Sequence, residues 1–375
     1  MPKYKFSEIA YNINQKKMPE PGDEEMYIGL EHLDSGSLKV KRWGSDVPIT
    51  GEKLVMKKGD ILFGRRNTYL RRAAIAPHDG IFSAHGMIFR PNTAVMDEDY
   101  FPFFISSDYF MNAAIRISVG SLSPTVNWKT LKELEFDIPD LESQRKSAEL
   151  LTAANRLKEA YEILLEETDQ LVKSQFIELF GDPLTNERGW KFKKLPEVTQ
   201  IVLGSTPKTR NEAFWNGDIK WITPAEISED SFYINDTVKH ITLEGVKDAG
   251  LKPFPAGTVI FSTRAPIGKT AIAACEMYCN QGFKNFICGS EVNPVYLFYV
   301  LRSKKDYFDL MGSGTTFREL SRKALETVAI SIPPIELQKK FEIIYKQSDK
   351  SKFVVQIAIY RAVWRFRFPH MQINR

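Results

Sequence analysis

The sequence contains two copies of one pattern, separated by about half the length of the chain. Residues 59–65 (GDILFGR) return at 257–264 as GTVIFSTR, and residues 129–144 return in the same order at 323–338. A period of this length exceeds the roughly 20–50 residues of solenoid repeats. The pattern therefore predicts two domains of one kind on a single chain, which suits a protein that contacts two like partners or one partner twice.

The composition is typical of a soluble globular protein. A chain of 375 residues can form two domains with separate cores, and 43% hydrophobic with 26% charged residues falls in the usual range. Apolar runs stay far below the roughly 20 residues of a membrane span, and the first residues contain no apolar signal core. We therefore expect a cytoplasmic protein with no membrane partner.

The net charge is weakly basic and does not identify a partner by itself. It is +4 at neutral pH, a value that many cytoplasmic proteins reach without binding nucleic acid. The distribution of cations is more informative, because they cluster in short stretches that favour an anionic partner. The clustered residues are Arg65, Arg66, Arg71 and Arg72 in the first copy, and Lys191, Lys193 and Lys194 in the second.

Three cysteines lie close together in the second half, at Cys275, Cys279 and Cys288. The spacing of the first two could indicate a metal site, but no fourth ligand lies near them in sequence and the first copy has no matching cysteines. We therefore expect neutral thiols and no metal site.

Each copy is predicted to be a mixed α/β domain with short strands. In the first copy, strand-like segments at 27–30, 60–63 and 86–89 alternate with turn signals, and an aromatic-rich helical stretch follows near residue 100. The second copy repeats this plan, with residues 296–301 in the helical position.

A long helix is predicted between the copies. Residues 141–181 contain no proline, and no glycine before Gly181, and are rich in helix formers. About 40 helical residues span on the order of 60 Å, which exceeds what one domain core needs. Gly181 and Pro183 end the stretch. A heptad seam steps through it at Leu150, Ala154, Leu157, Tyr161, Leu164, Thr168 and Leu171.

A second helical stretch follows the second copy. Its weaker seam, which includes two serines, runs through Leu337, Phe341, Ile344, Ser348, Ser351, Val355, Ala358 and Ala362. Two such helices can pair as an antiparallel coiled coil and act as spacers. The alternative is that each amphipathic helix packs only on its own domain.

Several motifs resemble those of type I restriction–modification specificity subunits. They are Phe180-Gly181-Asp182-Pro183, the stretch 186–191 and 203–207, the TRAPIGK segment at 263–269, NQGF at 280–283, and IPPIELQ at 332–338. The resemblance covers the chain to about residue 355, and it rests on the order of the motifs, the duplication and the helical stretches together.

This resemblance implies a non-catalytic DNA specificity subunit. It implies two tandem target-recognition domains of the α/β (α+β) class, separated by long helices that form an antiparallel coiled coil. Each domain would read one half of a bipartite site in double-stranded DNA, while the helices set the spacing and dock methyltransferase (modification) subunits, two of them expected. Restriction/translocase subunits are further expected partners. No cofactor is expected on this chain, whereas S-adenosylmethionine, ATP and Mg are expected on the partner subunits.

The expected organisation has five parts. They are a first target-recognition domain at 1–140, a central spacer helix at 141–181, a second target-recognition domain at 182–332, a C-terminal spacer helix at 333–365 and a tail at 366–375. Two features depart from the family pattern: residues 64–69 replace the TRAPIGK form in the first domain, and the chain after Val355 loses the polar face seen at 158–174. The second departure suggests a truncated or altered helix.

The sequence lacks familiar catalytic motifs. Asn293-Pro294-Val295 has neither the second proline nor the aromatic residue of an adenine methyltransferase motif, and the segment 312–316 has only two glycines of a cofactor-binding loop. No Walker A motif occurs. We therefore predict no catalytic residues, although a self-sufficient enzyme with unrecognised motifs remains an alternative, as does a coiled-coil scaffold that binds no DNA.

DNA recognition requires cations for phosphates and planar hydrogen-bonding groups for base edges. In the first copy the candidates are Arg65, Arg66, Asn67, Thr68, Tyr69 and Arg71 after the predicted strand, and Ser121, Ser123, Thr125 and Lys129 in the later loop. The alternatives are structural roles: a solvated hairpin for the residues after the strand, and a helix-initiating turn for the later loop.

In the second copy Arg264 and Lys269 occupy the place after the strand, and a surface salt bridge is the alternative role of Arg264. The other candidates are Thr206, Lys208, Thr209, Gln281, Lys284, Thr315, Thr316, Arg318 and Arg322.

Overall fold

The computed structural model describes residues 1–182, 185–312 and 319–367, with side chains described as far as Ile357. Contacts divide the chain into two compact units. One contains Met1–Tyr161 together with the described residues from Ala358 onward, and the other contains Glu162–Ile357. We refer to them as unit 1 and unit 2. This division falls within a long helix, so the predicted domain boundaries stay predictions.

Unit 1 contains two four-stranded sheets and a two-stranded ribbon. The first sheet is antiparallel, with strands in the order Ala10–Ile13, Met87–Pro91, Ile61–Phe63 and Ala73–Ile75. The second has the order Lys16–Lys17, Lys53–Met56, Gly80–Phe82 and Tyr27–Ile28, and its last pair is parallel. The ribbon pairs Lys3–Lys5 with Glu135–Asp137.

Short helices cover these sheets. The α-helices are Phe6–Ile9, Phe101–Ser106, Asp108–Arg116 and Trp128–Leu131, and the 3-10 helices are Asp23–Met26, Leu30–His32 and Thr68–Leu70. Phe6, Phe89 and Phe110 are fully buried and form an aromatic cluster at the centre of the core. Large aromatic side chains remove much apolar area from water, so this cluster fixes the sheet against its helices.

Unit 2 repeats this plan. Its main sheet has the order Thr199–Leu203, Lys284–Cys288, Val259–Phe261, Thr270–Ala273 and Tyr233–Ile234, and a smaller sheet has the order His240–Ile241, Trp215–Ile222 and Tyr278–Cys279. A ribbon again pairs a strand from each end of the domain, Lys191–Lys194 with Ala329–Ile332. The helices are Leu195–Val198, Glu212–Phe214, Pro224–Glu226, Leu243–Asp248, Pro294–Ser303, Lys305–Met311 and Arg322–Thr327.

Two long helices were predicted, and both are present. The central helix is Leu141–Phe180 and the C-terminal helix is Ile335–Arg367. Gly181 follows the central helix with φ of +71°, a left-handed conformation that suits glycine at a helix C-terminus. Pro183, the second predicted breaker, lies outside the described residues.

Within unit 2 the two long helices pair in antiparallel directions. Phe176 and Phe180 contact Phe341 through their rings, while one turn or more toward the other end Asp169 forms an ion pair with Lys352. Residue numbers rise along one helix as they fall along the other, which defines the antiparallel arrangement. The predicted fold class, two α/β domains with antiparallel long helices, is confirmed.

The predicted seam of the central helix is wrong in phase. Leu164 and Leu171 are 45% and 58% exposed, whereas Val172 and Phe176 are 3% and 1% exposed. The buried stripe thus lies about one residue later in the sequence. The face of the central helix that packs on the C-terminal helix is the one with the aromatic residues. These bury more apolar area than the leucines and therefore determine the orientation of the helix about its axis. In the C-terminal helix, Phe341 and Val355 of the predicted seam are buried.

Candidate nucleic-acid interface

Each unit presents an arginine at the same place beyond a buried strand. The strands Ile61–Phe63 and Val259–Phe261 are fully buried, and three residues after each final phenylalanine comes Arg66 or Arg264. Both arginines are exposed. A buried strand that ends at the edge of a domain fixes where the next side chains emerge, so the repeat places a cation at an equivalent position twice.

A second segment meets this arginine in both units. The backbone of Arg66 forms an isolated antiparallel bridge with Thr125, and Arg264 forms the same bridge with Glu319. Thr125 and Glu319 lie three residues before the helices Trp128–Leu131 and Arg322–Thr327, so their positions in the repeat are equivalent.

The residue after each bridge anchors the segment. Val126 and Leu320 are fully buried, and their N–H groups donate to Arg65 O at 3.0 Å and to Thr263 O at 2.8 Å. The structure therefore brings together the two loops that the sequence singled out separately in each copy.

In unit 1 the strand-end loop is held in an unusual backbone conformation. Asn67 and Arg71 both adopt the left-handed region, with φ of 54° and 51°, on either side of the turn Thr68–Leu70. Thr68 is buried, and its hydroxyl donates to Arg65 O at 2.8 Å, while the N–H of Asn67 donates to Pro124 O at 2.7 Å. Non-glycine residues rarely adopt this region, because it is sterically unfavourable. These hydrogen bonds therefore hold the loop in one specific shape.

Arg66 and Arg71 differ in how many of their hydrogen-bonding groups already have partners within the protein. Arg71 forms an ion pair with Asp108 at 2.6 Å and also donates to Asn112. Arg66 is exposed and donates only to the hydroxyl of Ser123, at 3.3 Å, among the described residues. Arg66 therefore retains most of its hydrogen-bonding capacity for a ligand, whereas Arg71 is committed to holding the loop against the helix Asp108–Arg116.

Three polar atoms of the loop are buried without a hydrogen-bond partner among the described residues. They are Arg65 Nε, Asn67 Oδ1 and Arg72 Nε. Because these atoms have almost no solvent-accessible surface, they cannot contact a base edge directly, and any contact of Arg65 or Asn67 with DNA would use their other polar atoms.

The remaining candidates of unit 1 surround this loop. Tyr69 is 55% exposed, while Ser121 and Lys129 are exposed and Thr125 is half-buried. The tip of the later loop carries Leu122, which is 94% exposed. These candidates supply a cation, hydroxyl groups and an aromatic ring on or next to the two segments that meet at the bridge between Arg66 and Thr125.

In unit 2 the arginine belongs to an ionic triad. Arg264 Nε donates to Glu319 Oε2 at 3.0 Å, and the Nζ of Lys284 lies 3.3 Å from the other carboxylate oxygen. Lys284 also donates to the buried hydroxyl of Thr263 at 3.0 Å. The alternative role considered for Arg264, a surface salt bridge, is thus present.

Lys284 differs from the other candidates because its side chain is only 8% exposed. Burial lowers its pKa below the ordinary value of 10.5, while the hydrogen bond and charge of Glu319 raise it. The pKa of Glu319 lies below its ordinary value: burial raises it, but the bonds from Arg264 and Lys284 outweigh that effect. The triad therefore brings two basic side chains together with one carboxylate.

Other candidates of unit 2 fall into separate groups. Thr206 donates to the side chain of Gln281, which links two predicted loops. The backbone N–H of Lys269 donates to Ser262 Oγ and its Nζ donates to Pro224 O, so this lysine is half-buried in the turn after the strand.

Lys208 forms an ion pair with Asp248 at 3.0 Å, and the neighbouring Thr209 is exposed. Arg322 pairs with Glu326 one helical turn away, at 2.7 Å, with both side chains at least partly exposed. Thr315, Thr316 and Arg318 lie outside the described residues.

Sequence reasoning missed Glu319, because an acidic residue in a basic loop is not an expected DNA ligand. The repeat itself contains the signal that could have found it. Aligning the helix starts at Trp128 and Arg322 places Glu319 against Thr125, where one copy is acidic and the other is not.

The described residues contain no group of three His, Cys, Asp or Glu side chains that could hold a metal ion. One Asp-x-Lys pair, a spacing used by metal-dependent nucleases, occurs at Asp218 and Lys220. Lys220 donates to Asn235 O and lies 3.4 Å from Cys275 Sγ, and Asp218 is exposed. Cys275, Cys279 and Cys288 are free thiols. Within the described part of the chain, no helix has the length and apolar character needed to cross a membrane.

The fold and the two matched arginine loops define a duplicated binding protein: two α/β domains on one chain, with long helices that pair in antiparallel directions. Comparison with known families identifies the class. The model for the type I restriction modification DNA specificity domain matches residues 6–167 and again 187–354. The chain therefore belongs to this family of specificity subunits, which confirms the family resemblance inferred from the sequence.

Individual relatives agree with this assignment. The chain is 36% identical over 165 residues to the type I restriction enzyme MjaIX specificity subunit of Methanocaldococcus jannaschii, a match that covers 43% of this chain and 38% of that protein. It is 26% identical over 436 aligned positions to the type I restriction enzyme HindI specificity subunit of Haemophilus influenzae, covering 92% and 93% of the two chains.

Solved structures share the fold. The S subunit of a type I restriction-modification system from M. genitalium matches with a TM-score of 0.62 at 13% identity, covering 97% of this chain and 93% of that one. A chain from work on complex assembly and conformational transition of the type I R-M system matches with a TM-score of 0.56 at 19% identity, covering 98% and 95%.

Proposed function

We propose that this chain is the subunit that gives a type I restriction–modification complex its DNA sequence specificity. Each of its two domains reads one half of a bipartite site in double-stranded DNA. The helices set the spacing between the half-sites and dock methyltransferase subunits, two in number, and restriction/translocase subunits join the same complex. The chain itself performs no chemistry.

One observation carries this proposal: the repeat presents an exposed arginine in the same structural setting twice. Arg66 and Arg264 each follow a buried strand and each bridge the loop before a helix. Arginine can both neutralise phosphate and form a bidentate pair with guanine, so it serves affinity and sequence readout. Around it the two domains differ, as they must if each reads different bases.

The residues assigned to DNA contact follow from this setting. Arg66, Tyr69, Ser121 and Lys129 are exposed near the first bridge, and Arg264 and Gln281 are exposed in unit 2. Lys208, Thr209 and Arg322 offer further cations and a hydroxyl group on the surface of unit 2, although Lys208 and Arg322 have acidic neighbours. DNA phosphates compete with such exposed carboxylates at little cost, because exposed ion pairs contribute only about 0–1 kcal/mol.

The outer face of the central helix supports docking of partner subunits. Beside the buried stripe that meets the C-terminal helix, Ile163, Leu164, Leu171 and Ile177 are 54%, 45%, 58% and 45% exposed. Exposed apolar residues that recur on the outer face of one helix are characteristic of protein–protein interfaces. We assign this face to the methyltransferase subunits, which would bring S-adenosylmethionine; ATP and Mg would belong to the restriction/translocase subunits.

The experiment is co-expression with the cognate methyltransferase subunit, followed by methylome sequencing of DNA modified by the complex. The expected result is a split motif with N6-methyladenine in each half. A chain in which residues 1–140 are replaced by another first domain is the matched control, and it should change one half-site only. Methylation by the partner without any sequence preference, or a change in both half-sites after the swap, would refute the proposal.

A further inference from the structure

We propose that Glu319, anchored by Lys284, is a specificity-determining residue of the second domain. It fixes Arg264 in the orientation in which its terminal nitrogens reach a guanine edge in the major groove of duplex DNA. This inference rests on the proposed function of the second domain, and it concerns an acidic residue that would not be expected to face DNA.

The first step is the geometry of the arginine. Arg264 uses Nε to donate to Glu319 at 3.0 Å, and no described residue accepts a hydrogen bond from its two terminal nitrogens. A guanidinium bound through Nε keeps its end-on pair of N–H groups, one on each terminal nitrogen, free and directed away from the carboxylate. Those two nitrogens form the fork that pairs with the O6 and N7 acceptors of guanine.

The second step is the rigidity of the carboxylate. Oε2 of Glu319 accepts from Arg264 and Oε1 faces Lys284 Nζ at 3.3 Å, so each oxygen has a cationic neighbour. Lys284 is itself fixed, because its side chain is buried and donates to Thr263, which is also buried. A long arginine held by a fixed carboxylate loses less conformational freedom when it binds a base.

The third step is the comparison with unit 1. The strand pairings place Met87 opposite Phe63, and Val259 opposite Phe286, which puts Lys284 where unit 1 has Met87. Thr125 stands where unit 2 has Glu319. Both ionic residues are thus present in one repeat and both are absent from the other, which folds in the same way without them. The pair is not required by the fold, and an ion pair in which only the lysine is buried is weak evidence for stability.

The last step is the cost of the carboxylate. An anion beside a DNA phosphate backbone lowers non-specific affinity through repulsion, so it has no benefit for simple charge neutralisation. Its benefit lies in discrimination between bases. A fixed arginine binds guanine favourably, whereas a base that cannot accept both hydrogen bonds leaves the negative charge of the carboxylate uncompensated. Binding surfaces commonly gain specificity from such a repulsive element.

The experiment uses the complex with the methyltransferase subunit and DNA duplexes that contain the methylome-defined site. Each base pair of both half-sites is replaced in turn, and relative affinities are measured by competition. Glu319→Gln keeps the size of the side chain and removes the charge. We expect it to reduce guanine discrimination at one position of the second half-site by about 10-fold or more, the range of one bidentate contact, and to leave the first half-site unchanged.

Arg264→Ala should remove the preference at the same position, and the double variant should lose no more than Arg264→Ala alone, because the two residues act as one unit. Lys284→Met combined with Glu319→Thr copies the residues of unit 1 and provides a second route if the glutamine variant folds poorly. Ser123→Ala removes the side-chain partner of Arg66 in unit 1 and is the matched variant of the first domain. Any effect of this substitution should be confined to the first half-site.

The possible results test the role of Glu319 and the proposed function separately. If the unaltered complex prefers a split site but Glu319→Gln keeps every preference in the second half-site, the role of Glu319 is refuted and the proposed function stands. A uniform change at all positions of both half-sites would also refute it. If the unaltered complex shows no sequence preference, the proposed function itself fails.

Discussion

Gln144 and Gln338 occupy equivalent places at the starts of the two long helices, and they make the same three hydrogen bonds. Gln144 Oε1 accepts from the N–H of Asp97, and its Nε2 donates to two backbone carbonyls, those of Val95 and Pro139. Gln338 Oε1 accepts from the N–H of Asn293, and its Nε2 donates to the carbonyls of Glu291 and Pro333.

Both amides are fully buried. Each clamps the beginning of a long helix to the segment that leads into the domain's own helices, and each satisfies three backbone groups that water cannot reach. The duplication of this amide in a buried setting indicates that it fixes the direction in which each long helix leaves its domain.

Replacing Gln338 by alanine should destabilise unit 2 by about 3 kcal/mol, because several buried backbone groups lose their partners at about 1–3 kcal/mol each. Urea denaturation followed by tryptophan fluorescence measures the change, since the six tryptophans include Trp190, Trp215 and Trp221 in this unit. Gln347→Ala is the control, because Gln347 is exposed on the same helix and alanine favours the helix. Equal effects of the two substitutions would contradict the clamp.

The pairing of the long helices depends on Phe176. Its ring lies 5.2 Å from Phe341 and 4.5 Å from Tyr299, and the side chain is 1% exposed. Phe176→Ala should lower the free energy of unfolding by about 3–5 kcal/mol, as expected for an aromatic side chain removed from a packed core.

The neighbouring residue Ile177 provides the control on the same turn of helix. It is 45% exposed, so Ile177→Ala should change the stability of the isolated chain by less than about 1 kcal/mol. The same substitution should weaken co-purification with the methyltransferase subunit, because Ile177 belongs to the face assigned to docking. A large loss of stability for Ile177→Ala would mean that the face is packed within the chain.

The repeat and the long helices could be predicted from the sequence because local rules decide them. Forty residues of helix formers without a breaker give a helix in almost any context, and the glycine at 181 ends it. The strand-end arginines were also found, because a short apolar run followed by polar residues marks where a chain leaves the core.

The phase of the central helix and the role of Lys284 could not be predicted in this way. Apolar residues occur on more than one face of the helix, and only the partner decides whether Leu171 or Val172 is covered. Lysine is rarely buried unless it is paired, so its burial depends on a carboxylate 35 residues away at Glu319. Both outcomes are tertiary effects that sequence spacing does not contain.

The thiol of Cys279 should be unreactive in the folded protein. Burial raises its pKa from 9.0 to about 12, while a hydrogen bond from Asn285 acts in the opposite direction. The thiolate is the reactive form, so iodoacetamide at pH 8 should leave Cys279 unmodified and should modify it after addition of urea. Peptide mass spectrometry measures both states, with the half-exposed Cys275 as the internal control.

The same shift predicts a direction for stability. The unfolded chain loses the Cys279 proton near pH 9, whereas the folded chain retains it to about pH 12. The unfolded state therefore binds fewer protons between these values, and this thiol reduces stability as the pH rises through that window. A Cys279→Ala variant should show a smaller decrease in stability over that range; an unchanged pH dependence would contradict the raised pKa.

Arg66 and Arg71 should have different effects on DNA binding although they lie five residues apart. Arg66 is exposed with one weak neutral partner, so a phosphate contact by Arg66 would displace condensed counterions from DNA. Arg66→Ala should weaken binding and reduce the slope of log affinity against log salt by about one. Arg71 is neutralised by Asp108, so Arg71→Ala should change that slope little and should instead destabilise the loop of unit 1.

Competition binding of the complex at several salt concentrations measures both slopes, and thermal melting reports the loop. Leu122→Ala, at the exposed tip of the later loop, controls for the loss of a side chain at the same surface without loss of charge. If Arg71→Ala lowered the slope as much as Arg66→Ala, the ion pair with Asp108 would open on DNA. Arg71 would then have to be counted among the phosphate contacts rather than among the residues that shape the loop, because only a guanidinium released from its carboxylate can displace a counterion.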